Sequence, residues 1–280
     1  MPDVFTYTAY REFLRDYYRE KKAGSKSFSF QNFARKAGIA SSGFLLHVIK
    51  GERNLTRPVL LKVAAAMGLD REQTGYFEIL VGFDQAKTPV EKDFYYSKLR
   101  TARQSAQVKT LEDDQYAFFS DWYHSVIREL APLLPAGSAP SAIAKLVAPG
   151  ITANQAKASL RLQEGLGILS RDAGGAYAPR DAFIGASGAP ARKVAITKFQ
   201  QAMLALAGQA WDHFPENDIA MRTSTISLSE EAAQAVKAEL KACNQRILDL
   251  TRADKLPATR VYHINLNFFP VTRKIKELGT

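Results

Sequence analysis

The sequence predicts a mainly α-helical protein with a smaller α+β part, and three observations lead to this expectation. Apolar residues recur at three- and four-residue steps over most of the first 130 positions, as along the buried face of an α-helix. Glycine and proline interrupt these stretches where helices would end and turns begin. Two segments beyond residue 215 instead alternate between polar and apolar residues, which is typical of strands.

Residues 1–86 are predicted to form one compact helical unit. Its first helix, over residues 6–22, carries four apolar side chains at helical spacing: Tyr7, Tyr10, Leu14 and Tyr17. Four shorter helices are expected at residues 30–37, 42–50, 58–67 and 72–81. Pro58 suits the first turn of a helix, and Gly51 and Gly68 suit the turns that close one.

The first helix also carries a basic stripe, formed by Arg11, Arg15, Arg19 and Lys22. Acidic residues stand beside it at spacings that allow ion pairs within the helix: Glu12, Asp16 and Glu20. Contact with phosphates is one interpretation of the stripe. A solvated face that neutralises itself is the favoured one.

Residues 87–135 are predicted to be connecting helices, over 90–106 and 111–130. Residues 136–190 then follow the order helix, turn, helix and hairpin, which is typical of a winged helix. Thr152 would cap the second helix of this winged-helix-like region, and Gly174 and Gly175 would turn its hairpin.

Residues 191–280 are predicted to be an α+β region that serves dimerisation or sensing. A long helix over 191–214 is followed by a strand at 219–228, a helix at 229–251 and a second strand at 260–269. The C-terminal part would therefore contain a strand-helix-strand unit.

Composition and charge limit the classes of function. The formal net charge is +10, and residues 1–67 hold 12 Lys and Arg against 5 Asp and Glu, so a polyanion should meet the N-terminal unit first. The single cysteine, Cys243, excludes an internal disulfide framework and any zinc site built from several thiolates. The histidines lack a partner ligand at metal-binding spacing. We therefore expect no enzyme activity, no metal and no cofactor.

The sequence also lacks the marks of membrane or secreted proteins. No stretch approaches the ~20 apolar residues that a membrane span needs, and residues 1–10 do not follow the pattern of a signal peptide. The expected location is the cytoplasm, without membrane attachment.

The strongest functional signal lies between Gln31 and Gly51. A helix-turn-helix needs a small residue where its helices cross, a turn residue that tolerates positive φ, and apolar anchors on the second helix. Ala34 and Gly38 meet the first two needs, and the anchors would be Ile39, Leu45 and Val48. The stretch resembles the lambda-repressor and Cro class of DNA-binding domains.

In that class the second helix enters the major groove of duplex DNA, where base pairs display distinct donors and acceptors. The resemblance implies that residues of the predicted helix 42–50 face the bases or the groove wall: Ser42, Gly43, His47 and Lys50. It implies a phosphate contact for Gln31. Ser41 would contact the DNA backbone or cap the helix.

The pattern departs from the class in one respect. The stretch from Gly38 to Gly51 is one residue longer than usual, so either the turn or the second helix must be rearranged. A helical packing module that binds no DNA is the alternative interpretation of the motif. Arg53, Arg57 and Lys62 follow it and would either reach phosphates or remain solvated.

Taken whole, the chain resembles a family of uncharacterised bacterial proteins in which such a helix-turn-helix precedes a long domain of unknown function. Five stretches carry the resemblance: residues 10–14, 33–38, 51–55, 76–78 and 261–265. The resemblance implies a transcriptional regulator and brings no known catalytic residues.

The expected function is accordingly that of a homodimeric transcriptional regulator that binds double-stranded DNA, with an unspecified small molecule as a further candidate partner. Lys157, Arg161 and Arg171 would provide a second DNA contact if the winged-helix-like region reads DNA as well as docking. The alternative is a non-catalytic sensor that binds RNA, a nucleotide or a protein through its C-terminal domain.

Overall fold

The computed structural model describes residues 1–108, 110–180 and 190–274, and within them the prediction of a mainly helical chain is confirmed. The α-helices of the described residues are α1 (Tyr10–Gly24), α2 (Phe30–Lys36), α3 (Phe44–Ile49), α4 (Arg57–Met67), α5 (Arg71–Gln85), α6 (Pro89–Ser105), α7 (Leu111–Phe119), α8 (Tyr123–Leu130), α9 (Pro140–Leu146), α10 (Ala153–Gly165), α11 (Pro190–His213) and α12 (Glu230–Ala253). Two short antiparallel strands, β1 (Leu169–Arg171) and β2 (Tyr177–Pro179), form one hairpin.

The chain divides into two compact units. The first contains Met1–His124 and the beginning of α11 as far as Gln201. The second contains Ser125–Arg180 and the chain from Ala202 onward. None of the helices in the described ranges is long and apolar enough to cross a bilayer.

Aromatic residues dominate the core of the first unit. Tyr10 and Phe13 are buried on α1 beside Phe77 of α5, with ring centroids 6.5 and 5.7 Å away from the Phe77 centroid. Phe33 of α2 packs against Tyr17 of α1 with its centroid at 5.4 Å. The apolar stripe predicted for the first helix therefore forms this core, although α1 begins at Tyr10, after a short 3-10 turn at Val4–Thr6.

Local capping signals explain where several helices begin. Asp70 and Gln73 form a capping box at α5, as Thr88 and Glu91 do at α6, so the first backbone N–H groups of each helix find acceptors. Pro58 lies in the first turn of α4, where its missing N–H leaves no hydrogen bond unmade. These starts lie within a few residues of the predicted ones.

The single helix predicted over 111–130 is wrong. The chain forms α7 and α8 instead, with a break at residues 120–122. The hydroxyl of Ser120 donates to the carbonyl of Ala117 at 2.8 Å, and His124 N–H donates to the carbonyl of Asp121. Such local hydrogen bonds compete with the helical ladder, which a periodic apolar pattern does not reveal.

The second unit contains the predicted order of helix, helix and hairpin. α10 begins with the capping box of Thr152 and Gln155, and the hairpin pairs Leu169 with Pro179 and Arg171 with Tyr177. Apolar side chains from α9, α10, β1 and the residue before β1 form its core: Ile143, Ala156, Leu160, Ile168 and Leu169. This order of elements is the one predicted for the winged-helix-like region.

The predicted strand-helix-strand unit is wrong in its strands. The helix is present as α12, but residues 219–228 and 260–269 have no regular secondary structure. A strand requires a neighbouring backbone at ladder distance, and among the described residues the sheet consists of β1 and β2, so neither segment belongs to it. Alternation of polar and apolar side chains indicates which side of a strand would be buried, but it does not show that a neighbouring strand exists.

Candidate nucleic-acid interface

The helix-turn-helix is held in shape by two similar helix ends. At the end of α2, Gly38 adopts φ +61°, so that its N–H donates to the carbonyl of Arg35 and the N–H of Ile39 donates to the carbonyl of Ala34. This Schellman arrangement favours glycine, since a side chain is strained at that φ. The turn residue predicted to have positive φ is therefore confirmed.

The same arrangement closes α3. Gly51 has φ +84°, its N–H donates to the carbonyl of Val48, and the N–H of Glu52 donates to the carbonyl of His47 at 2.9 Å. The chain therefore folds back on α3 immediately after Lys50. As a result, Glu52 lies beside the last turn of the helix.

The extra residue between Gly38 and Gly51 is accommodated in the turn. α3 begins at Phe44, two residues later than the start predicted at Ser42, and the backbone N–H of Phe44 donates to the carbonyl of Ser41. Ser42 and Gly43 belong to the turn and to the N-cap position, where no side chain caps the helix. The predicted helix start at Ser42 is therefore wrong by two residues, and Ser41 supplies a carbonyl at the actual start.

The two sides of α3 differ sharply in exposure. Leu45 and Val48 are fully buried, and Ile49 is nearly so, which anchors the helix on the core of the first unit. The opposite side, termed here the recognition face, is exposed except for the half-buried Gly43 and consists of Ser41, Ser42, Gly43, His47 and Lys50. Positions 43, 47 and 50 follow the spacing of one helix face. The residues predicted to meet bases therefore lie together on an accessible surface.

Arg11 supports this helix from behind, a role that the sequence did not reveal. Its guanidinium donates to the carbonyl of Val48 near the C-terminal end of α3 at 3.1 Å, to Asn54 Oδ1 at 2.7 Å and to Asp84 Oδ2 at 2.7 Å. One side chain thus connects α1, α3, the following loop and α5. Partners 37 to 73 residues away cannot be inferred from spacing along one helix, so the solvated interpretation of the stripe is wrong for Arg11.

His47 and Glu52 form a hydrogen bond at the edge of the recognition face. His47 Nδ1 contacts Glu52 Oε2, and both side chains are about half exposed. This hydrogen bond from His47 is the main cause that lowers the pKa of Glu52, so the carboxylate stays ionised under ordinary conditions. A negative charge therefore sits beside the surface predicted to meet DNA.

The predicted phosphate contacts have different surroundings. Gln31 is exposed near the start of α2. The Arg53 guanidinium lies 5.9 Å from the centroid of the Phe44 ring, and Arg57 Nε contacts Glu78 Oε1 at 2.6 Å. Arg57 is 75% exposed, so this surface ion pair is weak enough to exchange for a phosphate.

An open cleft of about 430 Å³ lies next to α2, lined by Ser25, Ser27, Phe28, Asn32, Arg35 and Lys36. Asn32 stabilises its wall, since Nδ2 donates to the carbonyl of Ser27 at 2.6 Å. Arg35 and Lys36 are exposed and extend the positive charge of the first unit beyond the recognition face.

The second predicted DNA contact lies in the other unit. Lys157 and Arg161 are exposed one turn apart on α10, and Arg171 is exposed on β1 with its guanidinium 5.5 Å from the Tyr177 ring centroid. These three cations share the winged-helix-like region. In the described part of the chain, no group of three His, Cys, Asp or Glu side chains could hold a metal ion.

Comparison with known protein families places most of the second half of the chain in one family. The family model described as Domain of unknown function (DUF4423) matches residues 102–271. The range begins near the end of α6 and does not include the helix-turn-helix. Neither the curated proteins nor the solved structures give a match.

Proposed function

The chain belongs to the family of the domain of unknown function DUF4423, and we propose that it is a DNA-binding transcriptional regulator that acts as a homodimer. The observation that carries the proposal is α3 itself. Its inner side is anchored by Leu45 and Val48, its end is supported by Arg11, and its outer side bears the recognition face. A short helix held in this way can enter a groove without rearranging its own unit.

The major groove is about 12 Å wide and admits one α-helix, which fits α3 and the turn before it. In the proposed complex, Ser42, His47 and Lys50 meet base edges or the groove wall, and Gly43 lets the backbone approach closely. Gln31, Arg53 and Arg57 hold phosphates and set the register of the protein on the duplex. Ser41 contributes from the turn.

Two copies are proposed because one small helix-turn-helix makes few contacts. Two half-sites about 34 Å apart, bound together, add most of their binding free energies. The chain beyond residue 111 would provide dimerisation and, with a small-molecule effector, sensing. We assign the protein to the cytoplasm, with no catalytic activity and no cofactor.

Whether the winged-helix-like region adds a second DNA contact is a separate hypothesis. In that case three cations of this region would contact DNA phosphates in the complex: Lys157, Arg161 and Arg171. The double substitution of Lys157 and Arg161 by Gln tests this hypothesis. If both cations meet phosphates, the slope of the logarithm of the binding constant against the logarithm of the salt concentration should become shallower by about 1.8. An unchanged salt slope assigns the region to docking instead.

The experiment that tests the proposal compares duplex DNA of mixed sequence with RNA of equal length at two salt concentrations. We expect the intact chain to prefer the duplex and to lose affinity steeply with salt, because phosphate contacts release counterions. A preference for RNA, or no duplex binding at low salt, contradicts the proposal and favours the sensor alternative.

Lys50→Gln should weaken duplex binding about tenfold, because one cation at the recognition face is lost. A contact of Lys50 with the groove wall, where the phosphates lie, also reduces the salt slope by about 0.9, whereas a contact with a base edge leaves the slope unchanged. Fluorescence anisotropy across a salt series measures both quantities. Lys98→Gln is the matched control, since Lys98 is exposed on α6, a different helix, and lies over the Phe94 ring. Equal effects of the two substitutions contradict a specific role of α3.

Glu52→Gln should strengthen duplex binding roughly twofold to fivefold at low salt, because it removes a carboxylate beside the recognition face. The gain should shrink as salt is raised. Glu72→Gln, an exposed carboxylate in the first turn of α5, is the control for the change in net charge. If Glu52→Gln weakens binding instead, the hydrogen bond with Glu52 positions His47 for its contact.

A further inference from the structure

The open cleft beside α2 has no part in the proposed contact with DNA. Its volume of about 430 Å³ lies within the range of clefts that hold small molecules. Six residues line it: Ser25, Ser27, Phe28, Asn32, Arg35 and Lys36. Together they offer two cations, two hydroxyl groups, an amide and an aromatic ring, and they include no carboxylate. Such a set of groups suits an anion that also carries a flat apolar part.

The chain around this cleft is strongly basic. Residues 21–36 contain five cations and no carboxylate: Lys21, Lys22, Lys26, Arg35 and Lys36. The carboxylates that precede this stretch most closely in the sequence have partners of their own, since Glu20 contacts the N-terminal amine and Asp16 accepts from the Tyr7 hydroxyl. Cations gathered in this way repel one another, and a bound anion relieves the repulsion.

Arg35 and Lys36 retain donors that a ligand can use. Several other arginines of the first unit are paired with carboxylates: Arg11, Arg57 and Arg103. In the part of the chain that the structure describes, neither Arg35 nor Lys36 forms such a pair. Arg35 Nη2 donates to Asn32 Oδ1 at 3.2 Å, which occupies one of the five guanidinium N–H groups. A phosphate in the cleft would therefore meet two cations whose charge is not compensated.

Hydrogen bonds fix the walls of the cleft. Asn32 Nδ2 donates to the carbonyl of Ser27 at 2.6 Å, and the Phe28 N–H donates to the carbonyl of Ser25 at 3.0 Å. The loop before α2 is thereby held as a turn against the helix. The hydroxyl groups of Ser25 and Ser27 share one hydrogen bond at 2.9 Å, so one of their two protons is left to donate to an anion.

Phe28 gives the cleft an aromatic wall. Its ring packs against Tyr18 and Phe33, with each centroid 5.7 Å away, yet the residue is only half-buried. The rest of the ring lines the cleft. Aromatic rings stack on nucleobases, and cations beside them hold the phosphates of the same ligand. The cleft places both kinds of group together.

We propose that this cleft binds a small molecule that carries phosphate and a planar group, which is the chemistry of a nucleoside phosphate. The phosphates would lie on Arg35 and Lys36, a serine hydroxyl would donate to them, and the base would lie on Phe28. The inference goes beyond DNA binding and does not depend on it, because the cleft uses no residue of the recognition face. It places a small-molecule partner in the N-terminal unit.

The first experiment is isothermal titration calorimetry of the full chain with ATP, pyrophosphate and adenosine as probes. ATP should bind with a dissociation constant below about 1 mM and more tightly than either of the other two, because it alone meets both the cations and the ring. The combined substitution Arg35→Gln and Lys36→Gln, termed here the cleft variant, should weaken ATP binding roughly 10- to 100-fold.

A matched control removes the same charge elsewhere. Lys237 and Lys241 are exposed one turn apart on α12, in the second unit. The combined substitution Lys237→Gln and Lys241→Gln should leave ATP binding unchanged. An equal loss in this control and in the cleft variant means that ATP follows net charge alone, which overturns the proposal.

The second experiment tests the aromatic wall. Phe28→Leu keeps an apolar side chain but removes the flat ring, so it should weaken ATP binding about threefold to tenfold and leave pyrophosphate binding unchanged. Circular dichroism verifies that the variant is folded. An equal loss for both probes, or no loss for ATP, contradicts the placement of the base on Phe28.

The outcomes separate this inference from the proposed function. No ATP binding at millimolar concentration, or adenosine binding as tight as that of ATP, overturns the cleft as a phosphate site. Duplex DNA is the other source of phosphate. A cleft variant whose salt slope for duplex binding is shallower by about 1.8, with ATP binding unchanged, assigns the cleft to DNA and overturns the small-molecule site. A chain that binds ATP in the cleft but binds no duplex supports the site and contradicts the regulator.

Discussion

Arg103→Met is expected to lower the free energy of unfolding of the first unit by about 3–5 kcal/mol. Arg103 is fully buried on α6, and its guanidinium donates to the carbonyls of Phe5 and Tyr7 at 3.0 and 2.9 Å. It also donates to the Tyr76 hydroxyl at 2.8 Å and to Asp113 Oδ1 at 3.0 Å. Met fills the space of the side-chain stem but donates nothing, so two carbonyls and a carboxylate lose their charged donor and keep only the hydroxyl groups of Tyr76 and Tyr96.

The charge on Arg103 is stable in this site. Burial opposes it, but the neighbouring Tyr76 and Asp113 outweigh burial and hold the pKa of Arg103 above its ordinary value. Removing one member of a buried ion pair is more damaging than replacing both, because the remaining charge has no compensation. The expected loss is therefore far larger than that of a surface ion pair.

The measurement is urea unfolding followed by tryptophan fluorescence in a Trp211→Phe background. Trp211 is about half exposed, and its removal leaves Trp122, in the first unit, as the only tryptophan of the chain. Arg103→Lys, which keeps the charge and loses the fork of donors, should give an intermediate loss and remain folded if the Met variant does not. A loss below about 1 kcal/mol for Arg103→Met contradicts the argument.

Features that depend on neighbouring residues could be predicted from the sequence. Gly38 was expected at positive φ, and Leu45 and Val48 were expected to anchor the second helix, because turns and helix faces are set within a few residues. Thr152 was expected to cap α10 for the same reason. The extra residue before Gly51 predicted a rearrangement, but its location in the turn depends on how α3 packs.

Features that depend on distant residues could not be predicted. Arg11 has the same pattern of neighbours as Arg15 and Arg19, and only the approach of Val48 and Asp84 gives it a supporting role. In the sequence, Arg103 is one of several cations on a helix with charged and apolar residues. Its role depends on Phe5, Tyr7 and Asp113, which the fold brings to it. The prediction of the two C-terminal strands is wrong for a related reason. The alternation of side chains is a local property of the sequence, whereas a strand also needs a partner strand from elsewhere in the chain.

Two buried tyrosines predict a loss of stability in alkali. Burial is the main cause that raises the pKa of Tyr10 to about 12, and the same holds for Tyr116, where the hydrogen bond to Asp93 at 2.5 Å raises the pKa further. Below pH 10 both phenols are protonated in the folded and the unfolded chain. Their contribution to the free energy of unfolding is therefore fully present there. Between pH 10 and about 12 the unfolded chain loses these protons while the folded chain keeps them, which favours unfolding.

The free energy of unfolding of the first unit should therefore be steady up to about pH 10 and then fall by about 5 kcal/mol towards pH 12. The size follows because a pKa difference of one unit between the folded and the unfolded chain corresponds to about 1.4 kcal/mol. Urea titrations of Trp122 fluorescence in the Trp211→Phe background measure the fall, and tyrosinate absorbance should rise together with unfolding. Tyr10→Phe and Tyr116→Phe should each make the fall less steep, and the rest of the fall includes Tyr7 and Tyr17, whose pKa values are raised in the same unit. Tyr262→Phe should leave it unchanged, because Tyr262 belongs to the second unit and the measurement follows the first. Both phenols ionising before Trp122 reports unfolding would contradict their burial.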